Sequence, residues 1–557
     1  MITVTLSDGK ILKYPKNTKI LEIAKKEQIK YKNLIVSSTY NGELRDLQYE
    51  LTEDGKLNFI ELNTEEGMRV YVRSLLFLFI VAVSKKRPEV KIEVKNSIGD
   101  GLFCDITNGI ILSKYDLKDI KNYMDELIEK KEKIYYYRVQ KENILKKISE
   151  CSEGSYDKER LELLKGLPKD QYITLYRLLN ECEYFFGSMC PDVGYLKHYD
   201  LLNYGSGVML VYPNKQNVNE IKPFKNLPKL ADIFDEVETW GKLIECGTVG
   251  RLNDYIRRGE SRDVILIAEA LHEKKIASIA DYIYSKADTT KLVLIAGPSS
   301  SGKTTFAQRL SIELRVNGLK PYALSLDNYY KERADTPKKE NGEYDYETLD
   351  ALELNLFNND LDRILNGETV EIPTYNFAKG IKEYKGNTIN IGDNGVLLIE
   401  GIHGLNEKLT ASVNKERKIK IYISALTPMS FDNYNRIQTT DVRLLRRLVR
   451  DYKYRGKTAS ETIKAWKNVR HGEENYIYVF QEEADLMFNT TLIYELAVLK
   501  KYAEPILEEI NPEMVGYTTA RRLLDILKHV EPLEEKAIPS NSIIKEFVGN
   551  SIFGDKL

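Results

Sequence analysis

The sequence predicts an α/β protein, a parallel-sheet domain preceded by two smaller α+β units. Three observations carry this reading. Between residues 289 and 505, short continuous apolar runs alternate with segments of helical period, the pattern of a parallel sheet covered on both faces. Residues 1–62 and 63–225 instead hold short alternating strands, tight turns and isolated helices. A glycine-bounded loop follows directly on the first apolar run of the third region, where a parallel sheet presents its carboxyl edge.

In residues 1–62, Val4 and Leu6 alternate with polar neighbours, and Asp8-Gly9 supplies a hairpin turn. Ile20, Ile23 and Ala24 recur at helical spacing after Thr18, read as the N-cap. Short strands are expected near 34–39 and 57–62, with a turn at Asn41-Gly42. Residues 63–225 hold an apolar helix near 68–85, a strand-turn-strand at 90–106, a charged helix at 116–130 and a glycine-punctuated segment at 187–213. The run Leu75–Val83 is far short of the ~20 residues a membrane span needs, so a buried helix is expected. Residues 226–288 read as a helical connector with apolar stripes through Ile265, Ala268, Leu271, Ile276, Ile279 and Ala280. In 289–505, strands are expected at 291–296, 322–326, 396–399 and 419–423. Residues 506–557 hold one helix, about 517–530, and a Pro/Ser/Asn-rich tail.

The 557 residues carry 82 Lys plus Arg against 84 Asp plus Glu, a net charge of −2. That balance excludes a broadly basic nucleic-acid coat, though not a local basic patch. The five cysteines show no CxxC spacing, so neither a disulfide framework nor structural zinc is expected. No His precedes residue 198, which excludes a histidine-ligated metal in the first third. The chain opens on strand-like sequence rather than a signal peptide, and a cytoplasmic location is expected.

Gly297-Pro298-Ser299-Ser300-Ser301-Gly302-Lys303-Thr304 matches G-x4-G-K-[ST], with Thr305 next. An apolar strand precedes it, and Phe306, Ala307, Leu310 and Leu314 follow at helix spacing. That strand–loop–helix context defines a P-loop NTPase-type parallel sheet. Backbone N–H groups of such a loop point inward at phosphate oxygens, and the helix N-terminus adds its positive dipole end. Lys303 then serves the β- and γ-phosphates of ATP, and the Thr304 hydroxyl serves Mg2+.

Two acids are expected at the same sheet edge. Asp327, in Ser325-Leu-Asp-Asn-Tyr-Tyr330, is placed to accept the proton of an attacking hydroxyl; the alternative is a helix N-cap. Glu400 ends the strand 396–399 and is placed to hold Mg2+; the alternative is an ordinary surface acid. Further on, Arg443, Arg447 and Arg450 share one helical face. Such a run is usually a solvated face or a non-specific nucleic-acid contact. In a P-loop protein it also reads as a lid that closes over the triphosphate and excludes water. His403, which follows Glu400-Gly401, is as readily a structural hydrogen-bond partner as a substrate contact.

Together these segments resemble the uridine kinase and phosphoribulokinase family. The order is the P-loop, S-x-D-x-Y-Y, P-x-Y-x-F at Pro373–Phe377, E-G-I at Glu400–Ile402, the arginine run 443–456 and Ala484-Asp485. The resemblance implies an ATP- and Mg2+-dependent kinase. Asp327 would be general base and, with Thr304 and Glu400, near the metal. Lys303 would serve ATP, and Arg447, Arg450 and Arg455 would form the lid. Tyr330, Tyr375 and Glu347 would line the acceptor pocket. Two departures concern the acceptor. Glu347-Thr348-Leu349 stands where uridine kinases carry an acid-His-Pro segment, and Gly380 stands at the position of a pyrimidine-contacting His. A nucleoside or similar alcohol is expected as acceptor. Lys379 and Lys382 keep a sugar-phosphate acceptor open as the alternative.

The front half resembles the N-terminal half of threonyl-tRNA synthetase. Residues 1–62 look like its TGS (β-grasp) module, with Leu6-x-Asp8-Gly9. Residues 63–213 look like its editing domain, through Ser97–Asp105 and Pro191–Lys197. The family's four editing positions are Arg73, Phe77, Phe185 and Met189 here, and a register shift onto Cys182 leaves Phe186 four residues on. Loss of hydrolytic editing is expected, with RNA contact through the TGS-like region, homo-oligomerisation or ligand sensing left as roles. An RNA- or ribosome-associated regulator whose ATP site is a switch is the rival to the kinase reading.

Overall fold

A computed structural model describes residues 1–144, 146–147, 163, 172–339 and 342–554. Strands β1 (Ile2–Leu6) and β2 (Ile11–Tyr14) form the expected hairpin. After α1 (Ile20–Glu27) come β3 (Ile35–Tyr40), β4 (Glu43–Arg45) and β5 (Gly55–Glu61). The sheet order is β2-β1-β5-β3-β4, with β1 parallel to β5 and the other pairs antiparallel. One expectation fails at α1. Its N-cap is Lys19, without a side-chain cap. The Thr18 hydroxyl instead donates to the Pro15 carbonyl at 2.8 Å, because Thr18 lies in a two-residue strand paired with Leu51.

Helix α2 runs Glu65–Lys86 and is capped by Thr64, whose hydroxyl accepts from the Gly67 N–H. It contains the helix expected near 68–85, and at 22 residues it is by length and composition long enough to cross a membrane. Most of that stretch, 72%, is buried inside the protein, where Val70 to Val83 form the core of the second unit. Around it lie β6 (Ile92–Ile98), β7 (Gly101–Ile106), α3 (Lys114–Lys130), β8 (Tyr135–Gln140), β9 (Tyr172–Leu178), β10 (Glu181–Tyr184), β11 (Asp200–Tyr204) and β12 (Gly207–Val211). They make two sheets, β8-β9-β10 and β11-β12-β7-β6. Three of the four positions matched to the editing site are apolar core: the Phe77 and Phe185 rings meet at a tilt with centroids 5.4 Å apart, and Met189 is buried in the same cluster.

The connector is three helices, α4 (Pro228–Leu243), α5 (Val249–Arg258) and α6 (Ser261–Ser285). It ties the halves together. Lys95 on β6 pairs with Glu238 on α4 at 3.0 Å, and the buried Arg309 beyond the P-loop pairs with Glu269 on α6 at 3.6 Å.

The main sheet is built from β13 (Leu292–Ala296), β14 (Lys320–Ser325), β17 (Gly395–Glu400), β18 (Lys418–Ser424) and β19 (Leu486–Asn489). All neighbours are parallel, in the order β14-β17-β13-β18-β19, so the P-loop strand is central. Alternate side chains leave opposite faces. Val293 and Ile295 enter the core shared with α6 and α7 (Lys303–Val316), and Leu292 and Leu294 enter the core beneath α8 (Leu354–Leu365). A small hairpin, β15 (Thr374–Asn376) with β16 (Ile381–Glu383), stands beside β14. Helices α9 (Thr439–Arg455), α10 (Ala459–Tyr476), α11 (Glu495–Glu508), α12 (Tyr517–Leu527) and α13 (Lys545–Val548) complete the chain. The C-terminal tail packs against the P-loop: Ile543, Ile544, Phe547 and Val548 are all buried in the core that holds Phe306.

Candidate active site

The chain leaves β13 at Ala296 and must turn at once into α7. A Cβ at Gly297 would lie 2.0 Å from the Ile423 carbonyl oxygen, so only glycine fits there. Gly302 has φ +83, and a Cβ would lie 2.7 Å from Ile543. The Ser300 and Ser301 hydroxyls are buried without partners, as expected of a cradle shaped for an anion. Lys303 folds back over the loop, donating to the Gly297 and Pro298 carbonyls at 3.0 and 3.2 Å. Burial pulls its ammonium below the ordinary value, and Glu400, Asp327 and Glu546 oppose that.

Glu400 ends β17 in register with Ile295 and Ser325, at the carboxyl edge. The Thr304 hydroxyl donates to it at 3.1 Å. Burial pushes the Glu400 carboxyl up to about 7; Lys303 pulls it down, and Asp327 and Glu546 push it up. Asp327 sits in a single turn of helix, Leu326–Tyr329, after β14. The cap of that turn is Ser325, whose hydroxyl accepts from the Asp327 N–H at 3.4 Å, so the Asp327 carboxylate is not spent on capping. The residue is open to water. The surrounding protein raises its carboxyl above the usual range, and Lys303 and Arg455 draw it back. Among the described residues no cluster of three or more His, Cys, Asp or Glu makes a dedicated metal cage. The hydroxyl of Thr304 with the carboxylates of Glu400 and Asp327 is an all-oxygen donor set of the kind Mg2+ uses, with water and phosphate oxygens completing its shell.

The arginine run is not a solvated face, and this corrects the usual explanation of such a sequence. Arg443 and Arg446 are 1% and 0% exposed. Arg443 donates to the Ser299 carbonyl at 2.8 Å and pairs with the buried Glu473. Arg446 pairs with Glu495 and donates to the Thr490 carbonyl at 3.0 Å. Of the three residues assigned to a lid, Arg447 reaches the loop, donating to the Ser299 hydroxyl at 2.7 Å. Arg450 does not; its guanidinium turns to Asp451 at 2.9 Å. Arg455, half-exposed at the end of α9, shares that carboxylate at 3.5 Å. Burial lowers the Arg455 guanidinium to about 10, and Arg450 lowers it further while Asp451 opposes.

On the acceptor side, Tyr330 and Tyr375 meet edge to face at 5.8 Å, and Tyr346 and Phe377 extend the wall. Glu347 closes it. A Cβ on Gly472 would lie 2.6 Å from the Glu347 Cβ, so α10 backs tightly onto this acid. Burial pushes its carboxyl up to about 7, helped by Glu473 and opposed by Arg447. Lys382 donates to the Tyr330 carbonyl at 3.2 Å and pairs with Glu353, and Lys379 pairs with Glu383 at 2.9 Å. His403 is buried, which pushes its imidazole down to about 4, so it is neutral at physiological pH.

Two residues absent from the sequence reading hold the cradle from outside. Glu473 accepts from the Ser299 N–H at 3.1 Å, and Glu546 accepts from the Thr305 N–H at 3.2 Å and its hydroxyl at 2.8 Å. Glu473 was detectable: it continues the apolar stripe of α10 through Ile463, Trp466 and Val469, where an acid signals a buried partner. Glu546 lies between Ile544 and Phe547, a weaker sign of the same kind.

A central parallel strand, a glycine-bounded cradle, a lysine and two edge carboxylates define a P-loop domain of the phosphotransferase class. Residues 292–494, just over a third of the chain, match the Phosphoribulokinase / Uridine kinase family. The N-terminal region matches threonine–tRNA ligases. That of Clostridium kluyveri is 25% identical over 269 residues, 48% of this chain and 40% of the ligase. That of Desulforamulus reducens is 30% identical over 205 residues, 36% and 31% of the two chains. The chain thus spans 40% or less of the length of these curated relatives. Solved structures with local likeness include a possible uridine kinase from Bacillus stearothermophilus, 19% identical, covering 39% of this chain and 98% of that one at TM-score 0.27. A D-glycerate 3-kinase from Cryptococcus neoformans is 15% identical, covering 38% and 89% at TM-score 0.25.

Proposed function

We propose that this protein transfers the γ-phosphate of ATP to a hydroxyl of a nucleoside-like acceptor. The observation that carries the reading is the convergence of Asp327, Lys303 and the Thr304–Glu400 pair at one sheet edge, beside an aromatic wall of Tyr330, Tyr375, Tyr346 and Phe377. Asp327 takes the proton as the acceptor hydroxyl attacks in line, and its water-open carboxylate has no cap to leave. Lys303 swings from its loop carbonyls to the terminal phosphates, and Arg447, already on Ser299, adds charge over the loop. Mg2+, held by Thr304 and Glu400 with Asp327 nearby, supplies charge neutralisation on the phosphates when bound.

The wall favours a flat, uncharged acceptor. Stacking faces are abundant, whereas the two lysines that a sugar phosphate would need are already neutralised by Glu353 and Glu383. With Gly380 in place of a pyrimidine-contacting side chain, base selection rests on the aromatic rings and Glu347. The four described cysteines are free and buried, which suits a reducing cytoplasm. The test is a panel of nucleosides, sugars and sugar phosphates with labelled ATP on the full chain. A phosphorylated nucleoside is the expected product; label released only as inorganic phosphate with every acceptor would overturn the reading. An RNA-linked role draws on the threonine–tRNA ligase likeness, and salt-sensitive tRNA binding by the full chain is its test.

A further inference from the structure

Helix α9 holds the phosphate loop, so whatever holds α9 acts on that loop. Three of its side chains reach it: Arg443 donates to the Ser299 carbonyl at 2.8 Å, Arg446 to the Ser300 carbonyl at 3.4 Å and Arg447 to the Ser299 hydroxyl at 2.7 Å. The chain arrives at α9 from β18 through the segment 425–438, which runs outside helix and strand. Most of that segment is buried nonetheless, Asp432 and Asn435 included. A buried stretch without a regular ladder must find partners elsewhere for its polar groups.

Along 432–436 the second unit supplies them. The Tyr184 hydroxyl donates to the Asp432 carboxylate at 2.5 Å, and the Val94 N–H donates to the Asn433 carbonyl at 2.7 Å. The Phe186 N–H donates to the Asn435 side-chain oxygen at 3.3 Å, and the Asn435 amide donates to the Tyr184 carbonyl at 3.1 Å. Arg436 donates to the Ser97 hydroxyl at 2.7 Å. The grip ends on α9 itself. Asp441, in its first turn, takes the Arg69 guanidinium of α2 across both carboxylate oxygens, at 3.2 and 3.3 Å. Arg522 of α12 pairs with the same carboxylate. Asp441 is buried, and the Arg69 side chain is only 9% exposed. A fork on a carboxylate, held away from water, fixes direction as well as distance. Arg443 follows Asp441 by two residues on the same hydrogen-bonded helix, so a shift at Asp441 is carried to the arginines on the loop.

We propose that Arg69 is a positioning residue for the nucleotide site: through Asp441 and α9, the second unit holds the P-loop in its phosphate-binding shape before ATP arrives. This role rests on the P-loop taking ATP, as proposed above. A loop fixed in advance loses less freedom on binding, so releasing the grip weakens ATP affinity and leaves the proton transfer at Asp327 unchanged.

The test is a calorimetric titration of the full chain with ATP and Mg2+, at a temperature well below the Tm of every variant. Lys303→Ala marks the signal that belongs to the P-loop. Arg69→Met is expected to weaken ATP binding about tenfold. Arg69→Lys, which keeps the charge without the fork, is expected to recover part of that loss. Tyr184→Phe removes only the hydroxyl on Asp432 and should weaken ATP binding severalfold, which keeps the grip testable where Arg69→Met does not fold. Arg69→Met combined with Asp441→Asn should lose no more than the larger of the two single losses. Tyr71→Phe is the control for stability alone: it removes a buried bond to the His198 carbonyl at 2.8 Å, on another face of α2, and should lower Tm with ATP affinity unchanged. The proposal falls if the Arg69 and Tyr184 variants bind ATP as tightly as their parent, or if the Arg69 and Asp441 losses add. It also falls if Tyr71→Phe weakens ATP binding as much as the Arg69 variants do. Because the readout is binding, a parent that binds ATP but phosphorylates no acceptor overturns the proposed function alone, whereas a parent without a Lys303-dependent signal overturns both.

Discussion

In the proposed reaction, Lys303 and Asp327 divide the work between charge and proton. Lys303 is held by two carbonyls of its own loop, so its replacement leaves the loop's backbone unsupported by charge but not misfolded. Lys303→Ala is expected to abolish phosphoryl transfer in a labelled-ATP assay. Asp327→Asn keeps the size of the side chain and removes its basicity. Turnover should fall by orders of magnitude while ATP affinity, read by equilibrium binding, changes little; retained turnover would remove Asp327 from the base role. The placement of both was legible in the sequence because local chain geometry fixes it: a loop after a buried strand, and an acid two residues past the next strand. The acids that grip the cradle, Glu473 and Glu546, were not legible. Each meets its partner across more than a hundred residues, and no local spacing encodes such a meeting.

At the scale of elements, α9 shows how a charged sequence can make a buried helix. Its arginines at 443 and 446 are satisfied by acids on α10 and α11 and by loop carbonyls, so the helix clamps the P-loop from behind. Removing one partner strands the other inside. Arg446→Leu is expected to lower the unfolding free energy by about 3–5 kcal/mol in urea titrations, and Arg446→Leu with Glu495→Leu should recover part of that loss. The sheet itself was largely predictable, since β13, β14, β17 and β18 are apolar runs of strand length. The edge strand β19 was missed because Leu486–Asn489 is only four residues long and ends in polar Asn489. Thr18 misled for a similar reason: a good cap residue was recruited by a two-residue strand pairing that lies 33 positions away, at Leu51.

Across the whole molecule, the three units share buried polar contacts rather than only touching surfaces. Asp46 of the first unit accepts from Tyr176 and from the Met189 N–H of the second at 3.0 and 2.9 Å. Burial raises its carboxyl from 3.8 to about 6. Because the folded value is the higher one, the stabilisation is complete below pH 3.8 and is lost as pH rises through about 6. At ~1.4 kcal/mol per pH unit, the full swing is roughly 3 kcal/mol. Urea midpoints should therefore carry a component that falls across this window in the parent, and Asp46→Asn should flatten it; an unchanged profile would place the titration elsewhere.

The tail has a consequence for how the protein meets its nucleotide. The carboxylate of Glu546 accepts from the buried Thr305 N–H and hydroxyl, so the last helical turn of the chain props the start of α7 from behind. The end of the chain is in this sense a keystone for the loop-to-helix turn 241 residues before it. Glu546→Gln should loosen that prop and raise the KM for ATP severalfold.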